Sequence, residues 1–124
     1  MEVILILLVA FQVKHFLADY VFQTEYMLGK SKEEGWFGPL FSHALVHAVL
    51  TYCIAAAYID YGVALTLAML DLTTHFSLDK LKVEMSRNTN PKEKPFWIYL
   101  GIDQMAHHLT HYFLIYLIYL KVAT

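Results

Sequence analysis

Four long apolar stretches make up most of the chain, and each is interrupted by polar residues at one repeated spacing. The first opens with VILILLVAF and continues to about Tyr26. Phe41–Ile59 contains two His and no formally charged residue. A third stretch covers Tyr61 to about Leu81, and a fourth runs from Pro95 to about Leu120. A helix crosses a bilayer core with about 20 apolar residues. The pattern predicts four helical spans, over about 3–26, 39–59, 61–84 and 95–121, forming a single domain of residues 1–124. Asp60-Tyr61-Gly62 reads as a tight connection, and Pro95 suits a first helical turn. Two longer loops, Gly29–Pro39 and about Lys82–Lys94, hold the helix-breaking residues.

The polar interruptions form stripes. They are His15, Asp19 and Gln23; His43 and His47; Asp71, His75 and Asp79; and Asp103, His107 and His111, with Gln104 and His108 beside the last set. A four-residue step advances about 400°, so each set drifts by only about 40° per step and keeps to one face. The stripe lies near the C-terminal end of spans one and three and near the N-terminal end of spans two and four. In an up-down bundle those four ends share one side. All four stripes are therefore expected to meet in one layer.

Composition moves this picture into a membrane. The chain is 58% hydrophobic and 16% charged, with mean hydropathy +0.46. A soluble domain is nearer a quarter charged. The expected class is an all-α membrane protein, a four-helix transmembrane bundle with a polar His/Asp layer near the cytoplasmic side. Of nine Lys and Arg, seven (Lys30, Lys32, Lys80, Lys82, Arg87, Lys92 and Lys94) lie in or beside the long loops. Positive charge marks the cytoplasmic side, so the long loops are expected inside and both termini outside. VILILLVAF has no basic segment before it and no small-residue cleavage site after it, so it reads as a retained helix. A net charge of −2 gives no reason to expect a nucleic-acid partner. Cys53, the single cysteine, excludes an intrachain disulfide.

Buried carboxylates need a counter-charge. One charge at mid-bilayer costs at least about 2.5–3.5 kcal/mol. Lys14, the only basic residue well inside a span, points about 100° away from His15 on a helix. Divalent metal is the economical neutraliser, Zn²⁺ first, with Mn²⁺ or Fe²⁺ as options. The expected ligands are His15, Asp19, His43, His47, His75, Asp79, Asp103 and His107. These exceed one tetrahedral site, and two ions about 3.5–4 Å apart would use them. Gln23, Gln104, Asp71 and His111 are expected to orient those ligands, although both glutamines also suit plain interhelical hydrogen bonding. Soluble di-metal bundles use Glu-x-x-His, whereas the step here is four and the acid is Asp.

H15-x3-D19-x3-Q23 with Lys30 following, H43-x3-H47, H75-x2-L78-D79-K80 and D103-Q104-x2-H107 resemble the small bacterial and phage membrane-protein family called domain of unknown function 3307. The resemblance spans almost the whole chain. It implies a four-helix protein of a bacterial inner membrane or a phage-infected host membrane, with no established activity. A looser similarity is to inner-membrane proteins labelled metal-dependent hydrolases.

The leading expectation is an intramembrane metal-dependent hydrolase. Its partner would be a membrane lipid or amphiphilic small molecule carrying a phosphate or ester, met at the cytoplasmic leaflet. Asp79 or Asp103 would serve as general base, and Lys80 would steady developing negative charge. Lys80 also suits simple snorkelling to the interface. The alternative is a metal-ion or proton transport protein, which with four helices would need a homo-oligomer. The closed far halves, VILILLV and LIYLIYL, weigh against a conduit. Bis-His haem ligation is disfavoured by the acids. No nucleophile elbow, P-loop or dinucleotide fingerprint is present.

Overall fold

The computed structural model describes residues 1–124 and is all-helical. Helix α1 covers Glu2–Phe16 and runs on through a wider turn over Leu17–Val21. That turn is closed by an i→i+5 bond from Phe22 N to Leu17 O at 2.7 Å. A single-turn widening of this kind is frequent at functional sites. The first long helix therefore stops at Val21 and falls short of Tyr26. Thr24 ends it, because its hydroxyl accepts from Met27 N at 3.3 Å and starts a new short helix, α2, over Glu25–Leu28. Gln23 lies in the link between the two.

Helix α3 spans Phe37–Ala56, α4 spans Tyr61–Ser86 and α5 spans Lys94–Ala123. The α3 helix ends three residues before Ile59 because the chain tightens: Tyr58 N and Ile59 N both reach Ala55 O at 2.9 Å. Asp60 then caps α4 by accepting from Val63 N at 3.2 Å. Pro95 sits in the first turn of α5, where its missing N–H costs nothing.

The long helices pack in the ring order α1, α3, α4, α5, each against two neighbours. Glu2–Val21 and Phe37–Ala56 are long and apolar enough to cross a membrane. Helices α4 and α5 are longer still but more polar on average. Exposed apolar side chains cover the outside, including Leu5, Val13, Leu45, Leu65, Ile102 and Phe113. Inside, polarity is inverted: of 27 buried residues, eleven are polar or charged. The main apolar cluster lies at one end, where Leu7, Phe11, Leu67, Leu114 and Ile118 pack together with Ala55 and Ala64. The polar residues fill the other half.

Candidate metal centre

The layer is assembled from opposite ends of antiparallel helices. Two turns of α3 present His43 and His47, and two turns of α4 present His75 and Asp79. The start of α5 brings Asp103 and His107, and the widened turn after α1 brings Asp19. Asp19 Oδ1 lies 2.8 Å from His47 Nε2 and 3.3 Å from His43 Nε2. Asp79 Oδ2 lies 3.4 Å from the same His43 Nε2, and its Oδ1 lies 3.1 Å from His107 Nε2. His75 stands at the centre, with its ring stacked on His47 at 3.6 Å and 4.1 Å from that of His107. All but Asp19 are buried.

Two sets of side chains have ligand atoms within 4.8 Å of one another: Asp19, His43, His47 and His75, and His75, Asp79 and His107. Both are mixtures of imidazole and carboxylate, the donors that suit Zn²⁺, Mn²⁺ and Fe²⁺. His75 belongs to both sets, so they form one extended site.

His15 and Asp103 fall outside both sets, in contrast to their expected place among the ligands. His15 Nε2 is held between Asp19 Oδ2 and Gln104 Oε1, each at 3.2 Å. Asp103 accepts from His107 at 3.1 Å and from Gln104 Nε2 at 3.2 Å. Both are hydrogen-bonded to side chains of the layer, as Gln104 is. Gln23 donates to Asp19 O at 2.7 Å and so braces the widened turn from below.

Lys80 lies away from the layer. Its Nζ sits 3.6 Å from the centre of the Trp36 ring and 2.7 Å from Glu84 Oε1, on the outer face of α4. The basic group at the site is Lys30, with Nζ 3.2 Å from Asp79 Oδ2. In the sequence pattern Lys30 is a loop charge that follows the His15, Asp19 and Gln23 stripe. Gly29 explains its placement, because a Cβ there would meet Pro39 Cγ at 3.2 Å. The bare backbone lets the Gly29–Ser31 turn press onto α3 and aim Lys30 inward.

A second buried network lies one to two turns deeper. Lys14 Nζ reaches across the bundle from α1 to Asp71 Oδ2 at 2.9 Å, with both side chains essentially inaccessible. Thr51 donates to the same oxygen at 2.5 Å, and His111 Nε2 lies 3.2 Å from Lys14 Nζ. Lys14 is therefore a counter-charge inside the bundle, which its angle from His15 had argued against. The angle was irrelevant because the long side chain spans the gap. Asp71 Oδ1 faces His75 Nδ1 at 3.9 Å. A carboxylate hydrogen-bonded behind a histidine fixes which ring nitrogen faces a metal. At 3.9 Å Asp71 makes no hydrogen bond to His75. Its hydrogen bonds go to Lys14 and Thr51, and His111 sits against Lys14 and not among the ligands. His108 is at the edge, 3.5 Å from Gln12.

A cavity of about 190 Å³ opens over the layer. Asp19, His43, Asp79 and His107 form its floor, and Lys30 and Lys82 stand beside them. The family model described as "Protein of unknown function (DUF3307)" matches residues 5–124. The chain belongs to this family. No curated protein and no solved structure matches the chain. The looser likeness to membrane hydrolases therefore has no support beyond residue content. The family's description carries no activity, so what the layer does is argued from its chemistry alone.

Proposed function

We propose that the chain is an integral membrane protein whose four long helices all span the bilayer, with long loops cytoplasmic and termini outside, and that its His/Asp layer is a metal-dependent hydrolytic site. The substrate is a lipid or amphiphilic phosphate or ester reached from the cytoplasmic leaflet. The observation that carries this reading is the overlap of two ligand sets on His75 beneath an open polar cavity. Interhelical hydrogen bonds average only about 0.6 kcal/mol in a membrane, a poor return for burying carboxylates. Asp19 and Asp79, one in each ligand set, would be offset by divalent metal held there, which would supply an acidified water or polarise a phosphoryl oxygen. Asp103, hydrogen-bonded to His107, is the protein's candidate base. Lys30, rather than Lys80, is placed to balance developing negative charge. Zn²⁺ is the leading ion, with Mn²⁺ and Fe²⁺ served by the same donors, and the set is large enough for two.

Transport is the weaker reading. The Lys14–Asp71 network carries polarity deeper, but Leu7, Phe11, Leu67, Leu114 and Ile118 close the bundle beyond it. Elemental analysis of the detergent-purified protein beside a His43→Ala/His47→Ala variant tests the metal. Near-stoichiometric Zn, Mn or Fe in the parent and a clear loss in the variant are expected. Hydrolysis that persists after complete metal removal would sink the hydrolase reading.

A further inference from the structure

Beside the polar cavity, an apolar groove runs along the outer face between α4 and α5. Leu78, Leu81 and Met85 form one wall, and Tyr99, Ile102 and Ala106 form the other. Lys82 and Asp103 line both the groove and the cavity. The two spaces therefore adjoin at these side chains. Three other apolar grooves, at Leu8 and Tyr116, at Leu45 and Leu65, and at Val13 and Leu50, share no residue with the cavity.

The direction of the groove matters. Met85 and Tyr99 lie near the long-loop ends of their helices, and Leu78 and Ala106 lie at the depth of Asp79 and His107. From Met85 to Leu78 is about 10 Å along a helix. An acyl chain of the loop-side leaflet runs the same way, from its headgroup toward the bilayer centre. The cavity's carboxylates are turned to partners, Asp19 to His15, His43 and His47 and Asp79 to Lys30, His43 and His107. That leaves Lys82 as the unpaired charge where cavity and groove meet. Lys82 has no ion-pair partner, and Lys30 has only Asp79. Asp103 is turned to His107 and Gln104.

We infer that the α4/α5 groove and the cavity together form one site for an anionic phosphate lipid. The phosphate sits at Lys82 and Lys30, and a hydrocarbon chain lies between Leu78, Leu81, Ile102 and Ala106. The lipid enters sideways from the leaflet, past Lys82. This deepens the hydrolase reading by naming its substrate class, but binding is separable from catalysis.

The test is photocrosslinking of the full-length protein in phosphatidylcholine nanodiscs. The probes are phosphatidic acid and phosphatidylcholine, each with a diazirine in the tail, and labelled residues are mapped by mass spectrometry. Phosphatidic acid is expected to label the α4/α5 groove well above phosphatidylcholine, with no such excess at Leu8 or Tyr116. Each lysine lost from Lys82→Ala or Lys30→Ala should cut that excess about tenfold, as expected for one charge-assisted hydrogen bond. Ala106→Trp should block the groove. Crosslinking reads occupancy and not turnover, so a protein that labels as expected but hydrolyses nothing sinks the hydrolase reading and leaves this inference standing. Equal labelling by both lipids, indifference to Lys82→Ala, or displacement by equimolar inorganic phosphate would each overturn the inference.

Discussion

The two halves of the bundle interior obey different rules. At one end Leu7, Phe11, Leu67, Leu114 and Ile118 pack as in any protein core. At the other, His, Asp, Lys and Thr fill the same central space. With the bundle embedded in a membrane as proposed, the apolar end would gain little from hydrophobicity, because lipid tails are as apolar as Leu. It is held by close packing. The polar end is held by charge, since each buried ion left without its partner is costly there. Loss of one atom group at the apolar end leaves a void, whereas the same loss at the polar end leaves an unpaired charge.

The largest predicted effect breaks the polar end. Lys14→Met strands the Asp71 carboxylate and should destabilise the protein by about 3–5 kcal/mol, read as thermal unfolding in detergent. Adding Asp71→Asn should recover most of that loss. If the double variant is as unstable as the single, the pair does not act as counter-charges. At the apolar end, Leu114→Ala should cost less, about 2–3 kcal/mol, the lower part of the range for a buried Leu truncation. An equal or greater cost than Lys14→Met would erase the contrast between the halves.

Within the polar end, ligands and their orienters should separate. Asp103→Asn keeps the shape of a residue that lies outside both ligand sets. It should weaken metal affinity by about 10–100-fold, measured by competition with a chelating dye, and leave stoichiometry unchanged. His75→Ala, which removes a donor from both sets, should abolish stoichiometric binding. Matching behaviour of the two variants would show that Asp103 is itself a ligand. The smallest effect belongs to Lys80→Ala. Its contacts to Glu84 and Trp36 are on the surface, so stability should change by at most about 1 kcal/mol and metal content not at all.

Much of the polar layer was readable because a four-residue step on a helix is nearly a full turn. His43 with His47, His75 with Asp79, and Asp103 with His107 each had to share a face, and alternating helices had to bring those faces to one end. The grouping within the layer was not readable. His15 and His107 look alike in the pattern, yet Gln104 and Asp19 draw His15 aside while Asp79 draws His107 in. The wider turn at Leu17–Val21 left no mark in the apolar spacing, so the end of the first long helix was placed too late. Lys30 and Lys80 could not be ranked by sequence, because side-chain reach depends on which backbone lies against which.

By itself the sequence determined an all-helical chain, the face of each helix that carries His and Asp, and the shared depth of those faces. These follow from local periodicity, which each helix obeys without its neighbours. The tertiary structure alone decided that Lys14 neutralises Asp71 across the bundle, that Lys30 reaches Asp79, and that His75 joins two ligand sets. Lys14 and Asp71 are 57 positions apart and Lys30 and Asp79 are 49 apart, while the sets that share His75 draw on residues from Asp19 to His107. Their distances depend on how the helices pack, and no single helix's pattern contains that information.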